Sequence, residues 1–219
     1  MTMAALQSAN GHWFSSNQAT GLAEIYQPHI NIAIWERGPD RDVINALTEL
    51  TENHPGLTIK SVIRMEHARQ SLSELLPACT GQAILVDSLY LSLDLFTCLF
   101  EQERVALRFG RLTEAMCPRF HIDNLPVRLV QALNGPGTEW LPESTLDRSK
   151  LGRGNQGKPD HESGIYRSEQ DIGQLQTGDI ALLKGSGWEG NEETALVHRS
   201  PAVPAGQSRW FLSLDLAND

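Results

Sequence analysis

Cysteine is scarce in this 219-residue chain, with only Cys79, Cys98 and Cys117 and no CxxC pair. An odd, scattered set argues against a disulfide framework and suits reduced thiols in a cytoplasmic setting. Positive charge is also short. Eighteen Lys and Arg face 27 Asp and Glu, for a net charge of −9. That balance lacks the basic footprint that nucleic acid or an anionic membrane surface requires, so neither is expected as a partner. No stretch supplies the roughly 18 apolar residues needed to span a bilayer. The opening MTMAALQSANGHWFSS has no basic n-region and no continuous apolar h-region, so no secretory signal is expected. There is no internal repeat and no low-complexity tract. What remains is ordinary globular composition, 40% hydrophobic and 21% charged, at a length that suits one compact domain or one domain with an extension. The expected partner is a small-molecule or protein substrate.

The two halves read differently. In residues 1–104, INIAIWER (30–37) predicts a short strand ending near a Gly-Pro-Asp turn, and Asp40 is placed to cap a helix running to about Glu52. Val43, Ile44, Leu47 and Leu50 sit at helical spacing within it. A second helix is expected over 66–76. A long apolar helix, interrupted by Asp87 and Asp94, is expected over 83–100. Residues 105–219 instead show VALRFGRL, LPVRLVQAL, DIALLKG and RWFLSLDL, short alternating runs with Gly and Pro turns between them. These predict a β-sandwich or barrel beginning near Arg104. Between 144 and 167 runs a flexible, Gly-containing loop with five basic and three acidic residues. A loop that long within a compact domain tends to be functional or disordered.

The sharpest local feature is CPRFHID, residues 117–123. Side chains two apart in an extended chain share a face, so His121 and Asp123 would offer an imidazole and a carboxylate to one point. His198 follows in ALVHRSP, just before the last expected strand. Two histidines and a carboxylate occupy one face of a metal and leave the opposite positions open, as in non-haem Fe(II) oxygenases. Arg209 opens the terminal strand, where its guanidinium could hold a co-substrate carboxylate in a bidentate pair.

The ordered set HxD, NGPGTEW, Gly178-Asp179, His198 and Arg209 resembles the double-stranded β-helix core of the Fe(II)/2-oxoglutarate-dependent dioxygenases. That likeness covers roughly 117–216. Over nearly the whole length, CPRFHIDNLPVRL, GPGTEWL, GDIALLKG and HRSP resemble the bacterial domain-of-unknown-function family 1826, whose members are associated with zinc-responsive gene neighbourhoods. The resemblance implies an α+β protein, with a C-terminal double-stranded β-helix (jelly-roll, cupin-like) and an α-rich N-terminal segment packed on it. It also implies a mononuclear metal-dependent oxygenase, with Fe(II) at His121, Asp123 and His198 and 2-oxoglutarate as co-substrate on Arg209. Arg199, beside the distal histidine, and Arg128, near the HxD strand, compete for that anion.

Two alternatives stand beside this reading. Cys117 shares the face of His121 if the strand is regular. It is then either a small buried hydrophobe or a fourth ligand whose thiolate would favour zinc, as in a zinc-homeostasis accessory protein. A cupin-like isomerase or hydrolase would use Glu139 or His161 as a base. Trp140 and Trp188 are expected in packing roles, and Lys184 at a strand end.

Overall fold

The computed structural model describes residues 6–7 and 12–217. The segment read for a secretory signal lies largely outside them. The first half runs β1 (Leu6–Gln7), β2 (Trp13–Ser16), β3 (Ile32–Trp35), α1 (Arg41–Asn53), β4 (Thr58–Arg64), α2 (Ala68–Leu75) and α3 (Gln82–Phe100). The second half runs β5 (Arg104–Leu112), β6 (Val127–Asn134), β7 (Glu139–Trp140), α4 (Asp160–Ser163), β8 (Gly173–Gln174), β9 (Ile180–Lys184), β10 (His198–Arg199) and β11 (Arg209–Leu216).

Helices α1, α2 and α3 form where the sequence predicts them, whereas the short α4 falls within the stretch expected as a loop. Asp40 caps α1, its carboxylate accepting from the backbone N–H groups of Asp42 at 3.0 Å and Val43 at 3.3 Å. Val43, Ala46, Leu47 and Leu50 make its buried stripe. The expected helix over 66–76 starts as a 3-10 turn, Met65–His67, before α2. Helix α3 is long and apolar enough, by length and composition alone, to cross a membrane, contrary to the sequence reading. In the fold Leu85, Leu89, Leu93 and Phe96 instead bury one side in the main core, while Asp87 and Asp94 stay exposed.

The strands make a mixed α+β architecture dominated by an eight-stranded, largely antiparallel sheet in the order β1-β2-β3-β9-β6-β11-β5-β4. A three-stranded sheet, β10-β7-β8, faces it. Period-two alternation divides the large sheet between two cores. Ala33, Leu129, Leu182, Leu212 and Leu214 join the helices in one cluster. Ile34, Val130, Ala181, Leu183 and Phe211 point the other way, onto Trp140, Leu175 and Leu196 near the small sheet. The segment expected to be α-rich, residues 1–104, holds the three long helices and also four of the eight strands. The large sheet therefore draws on both sides of position 104. Strand β4 escaped the sequence reading although TIKSVIR buries Ile59 and Ile63 on one face. Its polar face and neighbouring helix signals masked the period.

Lys184 ends β9 on the helix-facing side and is fully buried. Its ammonium donates to the Gln27 carbonyl at 2.8 Å and lies 4.8 Å from the Trp188 ring centroid. Burial pushes its pKa down from the ordinary 10.5 to about 8. The folded state therefore disfavours the proton that the unfolded chain keeps up to pH 10.5. Between these two values the unfolded state binds more protons, so this residue's contribution to stability rises with pH. Wild-type protein should gain melting temperature relative to Lys184→Met between about pH 8 and pH 10. A constant difference across that window would show that the lysine is not desolvated.

Candidate metal centre

His121 and His198 lie directly opposite one another in an antiparallel bridge. Each backbone N–H donates to the other's carbonyl at 3.0 Å. Opposed residues in such a pair project to one side, which brings the imidazoles together although they are 77 positions apart in sequence. Their ring centroids stand 4.6 Å apart. Asp123, two residues on, places its carboxylate against both rings. Oδ1 lies 3.8 Å from His121 Nε2 and Oδ2 lies 3.5 Å from His198 Nε2. Among the described residues, one ligand atom from each of the three falls within 4.8 Å of the others.

Both imidazoles are oriented from behind. His121 Nδ1 lies 2.9 Å from the Arg119 carbonyl, and His198 Nδ1 lies 3.2 Å from the Leu196 carbonyl. A proton on each Nδ1 satisfies those carbonyls and turns each Nε2 towards the carboxylate, the usual backing of a metal-binding histidine. Burial lowers the His121 pKa and the neighbouring His198 lowers it further, against the Arg119 carbonyl and Asp123, so neutral imidazole is favoured. Burial alone would raise the Asp123 carboxyl. The His198 hydrogen bond and the electrostatic pull of His198, Arg128 and His121 outweigh it and hold the group below the usual carboxylate range. Two imidazole nitrogens and one carboxylate oxygen, mostly shielded from water, fit a divalent ion of intermediate softness.

The three candidate arginines have different surroundings. Arg128 is committed to carboxylates, donating to Asp215 at 2.7 and 2.8 Å and to Asp123 at 2.8 Å. Arg199 donates to Glu139 at 2.6 Å and to Asp160 at 2.9 Å. Arg209 is only 1% exposed, and among the described residues no carboxylate pairs with it. Its Nη2 donates to the Thr138 hydroxyl at 3.1 Å, while its Nε is buried without a partner. Burial pulls its pKa down to about 10, so it is still a cation at neutral pH. The NGPGT turn sets Thr138 there. Gly135 has φ of +84° and presses on the Arg209 backbone, where a Cβ would lie 3.0 Å from Cα. At Gly137 a Cβ would lie 2.0 Å from the Leu175 carbonyl oxygen, so only glycine passes.

The run over 144–167 packs against the back of the histidine pair. Ile165 joins Phe120, Leu141 and Val197 in a small separate core, with Leu146, Leu151 and Tyr166 around it. Asp160, nearly buried, is its polar anchor. It accepts from the Phe120 backbone N–H at 3.0 Å and from Arg199 at 2.9 Å, gripping the residue before one histidine and the residue after the other. Arg199 also lies 4.2 Å from the Phe120 ring centroid. Sequence reasoning missed Asp160. Its partners, Arg199, Phe120 and Arg119 at 3.4 Å, are 39 to 41 positions away, so no local spacing marks it. Asp160→Ala strips one buried donor and half the pairing of Arg199, and should weaken metal binding by about 10–100-fold, the range for loss of an outer-shell partner. Asp160→Asn keeps an acceptor for the Phe120 N–H and should recover part of it. Equal metal affinity in all three proteins, measured by calorimetry, would remove Asp160 from this role.

Cys117, expected as a buried hydrophobe or a fourth ligand, is exposed. It lines the cleft beside His121 and His198 but stands outside the three-residue group. Glu139 is engaged by Arg199, and His161 is 62% exposed beside Glu162, so neither is presented as a base to the cleft. Trp140 is buried, and Trp188 packs with Tyr26 and Phe100.

The fold is similar to that of dioxygenase for auxin oxidation 1 from Arabidopsis thaliana, solved as a complex with 2-oxoglutarate. That comparison gives a TM-score of 0.51 and 13% identity over 92% of this chain and 88% of the other. It is also similar to the dioxygenase for auxin oxidation in rice, with a TM-score of 0.50 and 11% identity over 92% and 79% of the two chains. At these identities the likeness is one of fold. No curated protein matches the sequence significantly. Residues 16–215 match the family described as protein of unknown function (DUF1826), and the chain belongs to that family.

Proposed function

We propose that this protein is a mononuclear Fe(II)/2-oxoglutarate-dependent oxygenase built on a double-stranded β-helix. In this reading β5, β11, β6 and β9 form the larger layer of the helix. The His121 bridge, β10, β7 and β8 form the smaller one, and β1–β4 extend the larger layer at both edges. The observation that carries the proposal is the convergence of two Nε2 atoms and one carboxylate on a common point. The unpaired, buried Arg209 supports it.

His121, Asp123 and His198 would hold the iron, which supplies oxygen activation when bound. Arg128 holds the Asp123 carboxylate in place through its 2.8 Å hydrogen bond and is itself anchored by Asp215. Arg209 and the Thr138 hydroxyl would receive the distal carboxylate of 2-oxoglutarate, with the free Nε and the second amino group of the guanidinium as donors. Phe211, 4.6 Å from the Arg209 guanidinium, shields that cation from water and strengthens its attraction for an anion. The zinc reading loses its argument from Cys117, which lies outside the ligand group.

Purified protein supplied with Fe(II), ascorbate, 2-oxoglutarate and air should form succinate, even without a prime substrate, at a slow uncoupled rate. Absence of succinate together with absence of 2-oxoglutarate binding to the metal-loaded protein would refute the assignment.

A further inference from the structure

A cavity of about 550 Å³ lies apart from the metal cleft. It exists because the two sheets differ in width. The large sheet continues past β9 through β3 and β2, while the small sheet stops at β8. The inner face of β2 and β3 is therefore partly uncovered beyond the edge of β8, and Trp13, Ile34 and Glu36 line the space there together with Trp140, Leu175 and Gln174. The volume falls within the range of small-molecule sites.

The two indoles stand at an angle, with centroids 5.8 Å apart and planes at 60°. Gly173 makes room for one of them, since a Cβ there would lie 2.4 Å from the Trp140 ring. The charged groups around the cavity are predominantly acidic. Glu36 is exposed at its mouth, and among the described residues no ion pair engages its carboxylate. Asp179 sits in the wall, its carboxylate accepting from the Gln176 backbone N–H at 2.8 Å. Arg37, the one cation lining it among the described residues, is directed to Asp40 at 3.4 Å. An anion would meet an unopposed carboxylate here. A neutral apolar ligand would leave Glu36 unused.

We propose that this cavity binds an organic cation of the alkylammonium class, with its charge against the faces of Trp13 and Trp140 and Glu36 as its counter-charge. This does not depend on the oxygenase reading, because no metal ligand lines the cavity.

The test is a titration of the full chain, in indole-resolved 1H–15N spectra, with choline and with 3,3-dimethylbutan-1-ol, its uncharged isostere. Choline should shift the Trp13 and Trp140 indole N–H signals saturably, and the alcohol should bind about tenfold more weakly. Glu36→Gln, a change at an exposed position, should bring choline down towards the affinity of the alcohol and leave the alcohol unchanged. Trp13→Leu should weaken choline in the same assay. Equal affinity for the two probes, an unchanged choline affinity in Glu36→Gln, or no saturable shift with choline would each overturn the proposal.

Discussion

His198→Ala is expected to lose more than about 100-fold in affinity for Fe(II), or for Co(II) as a spectroscopic substitute, because loss of even an outer-shell partner costs 10–100-fold. The residue supplies one of three donors, and nothing nearby replaces it, since Cys117 stands outside the group. Asp123→Ala should have an effect of the same order. It is the cleaner variant for the fold, because Arg128 loses one partner but keeps both oxygens of Asp215. Removal of His198 leaves the Leu196 carbonyl without its ring N–H and opens space at a buried position, at a cost of about 1–3 kcal/mol. The control is His161→Ala, a 62% exposed residue that pairs with Glu162 and lies outside the group. Calorimetric titration with Co(II) decides the matter. Wild-type affinity in either His198→Ala or Asp123→Ala would dismiss the triad as the metal site.

Arg209→Met should separate stability from ligand binding. In the free protein the guanidinium is fully buried with one hydroxyl partner, an unpaired Nε and no carboxylate, an arrangement that costs stability. Methionine has a similar length and no charge. The variant should therefore unfold at a higher temperature, by an amount equivalent to about 1–2 kcal/mol after the lost Thr138 hydrogen bond is deducted. The same change should weaken 2-oxoglutarate binding by about 100-fold or more, the worth of two charge-assisted hydrogen bonds. Arg209→Lys keeps the charge without the planar fork and should fall between the two. Arg128→Met and Arg199→Met should do the opposite and destabilise the protein, because each would strand two carboxylates. A less stable Arg209→Met variant that still binds 2-oxoglutarate would reverse the role assigned to Arg209.

The contrast among the three arginines also marks where sequence reading ended. His121, Asp123, His198, Arg209, Arg199 and Arg128 can each be picked out in the sequence as candidates, because an HxD pair, a histidine near a strand and an arginine beside either are local patterns. Which arginine is unpaired was not. Asp215 lies 87 positions from Arg128, and Glu139 lies 60 from Arg199, so neutralisation is a matter of strand pairing. The reading of 144–167 as a flexible loop followed from its missing periodicity. Its apolar residues, Leu146, Leu151 and Ile165, are too widely spaced to signal a helix or a strand, and they find their partners on other segments.

By itself the sequence determined the helices α1 and α3, the four long strands of the second half, and the chemical types available to the site. Each depends on interactions within a few residues: the Asp40 cap, the 3.6-residue stripe, the two-residue alternation. Tertiary structure alone decided how those types are combined. One antiparallel bridge brings the two imidazoles to a single carboxylate, and the NGPGT turn delivers a hydroxyl to a buried cation. Asp160 ties the long loop behind both histidines, and the unequal width of the two sheets leaves an acidic, indole-walled cavity. These are contacts between positions tens of residues apart, set by which strands pair and which faces are covered, and no window along the chain contains them.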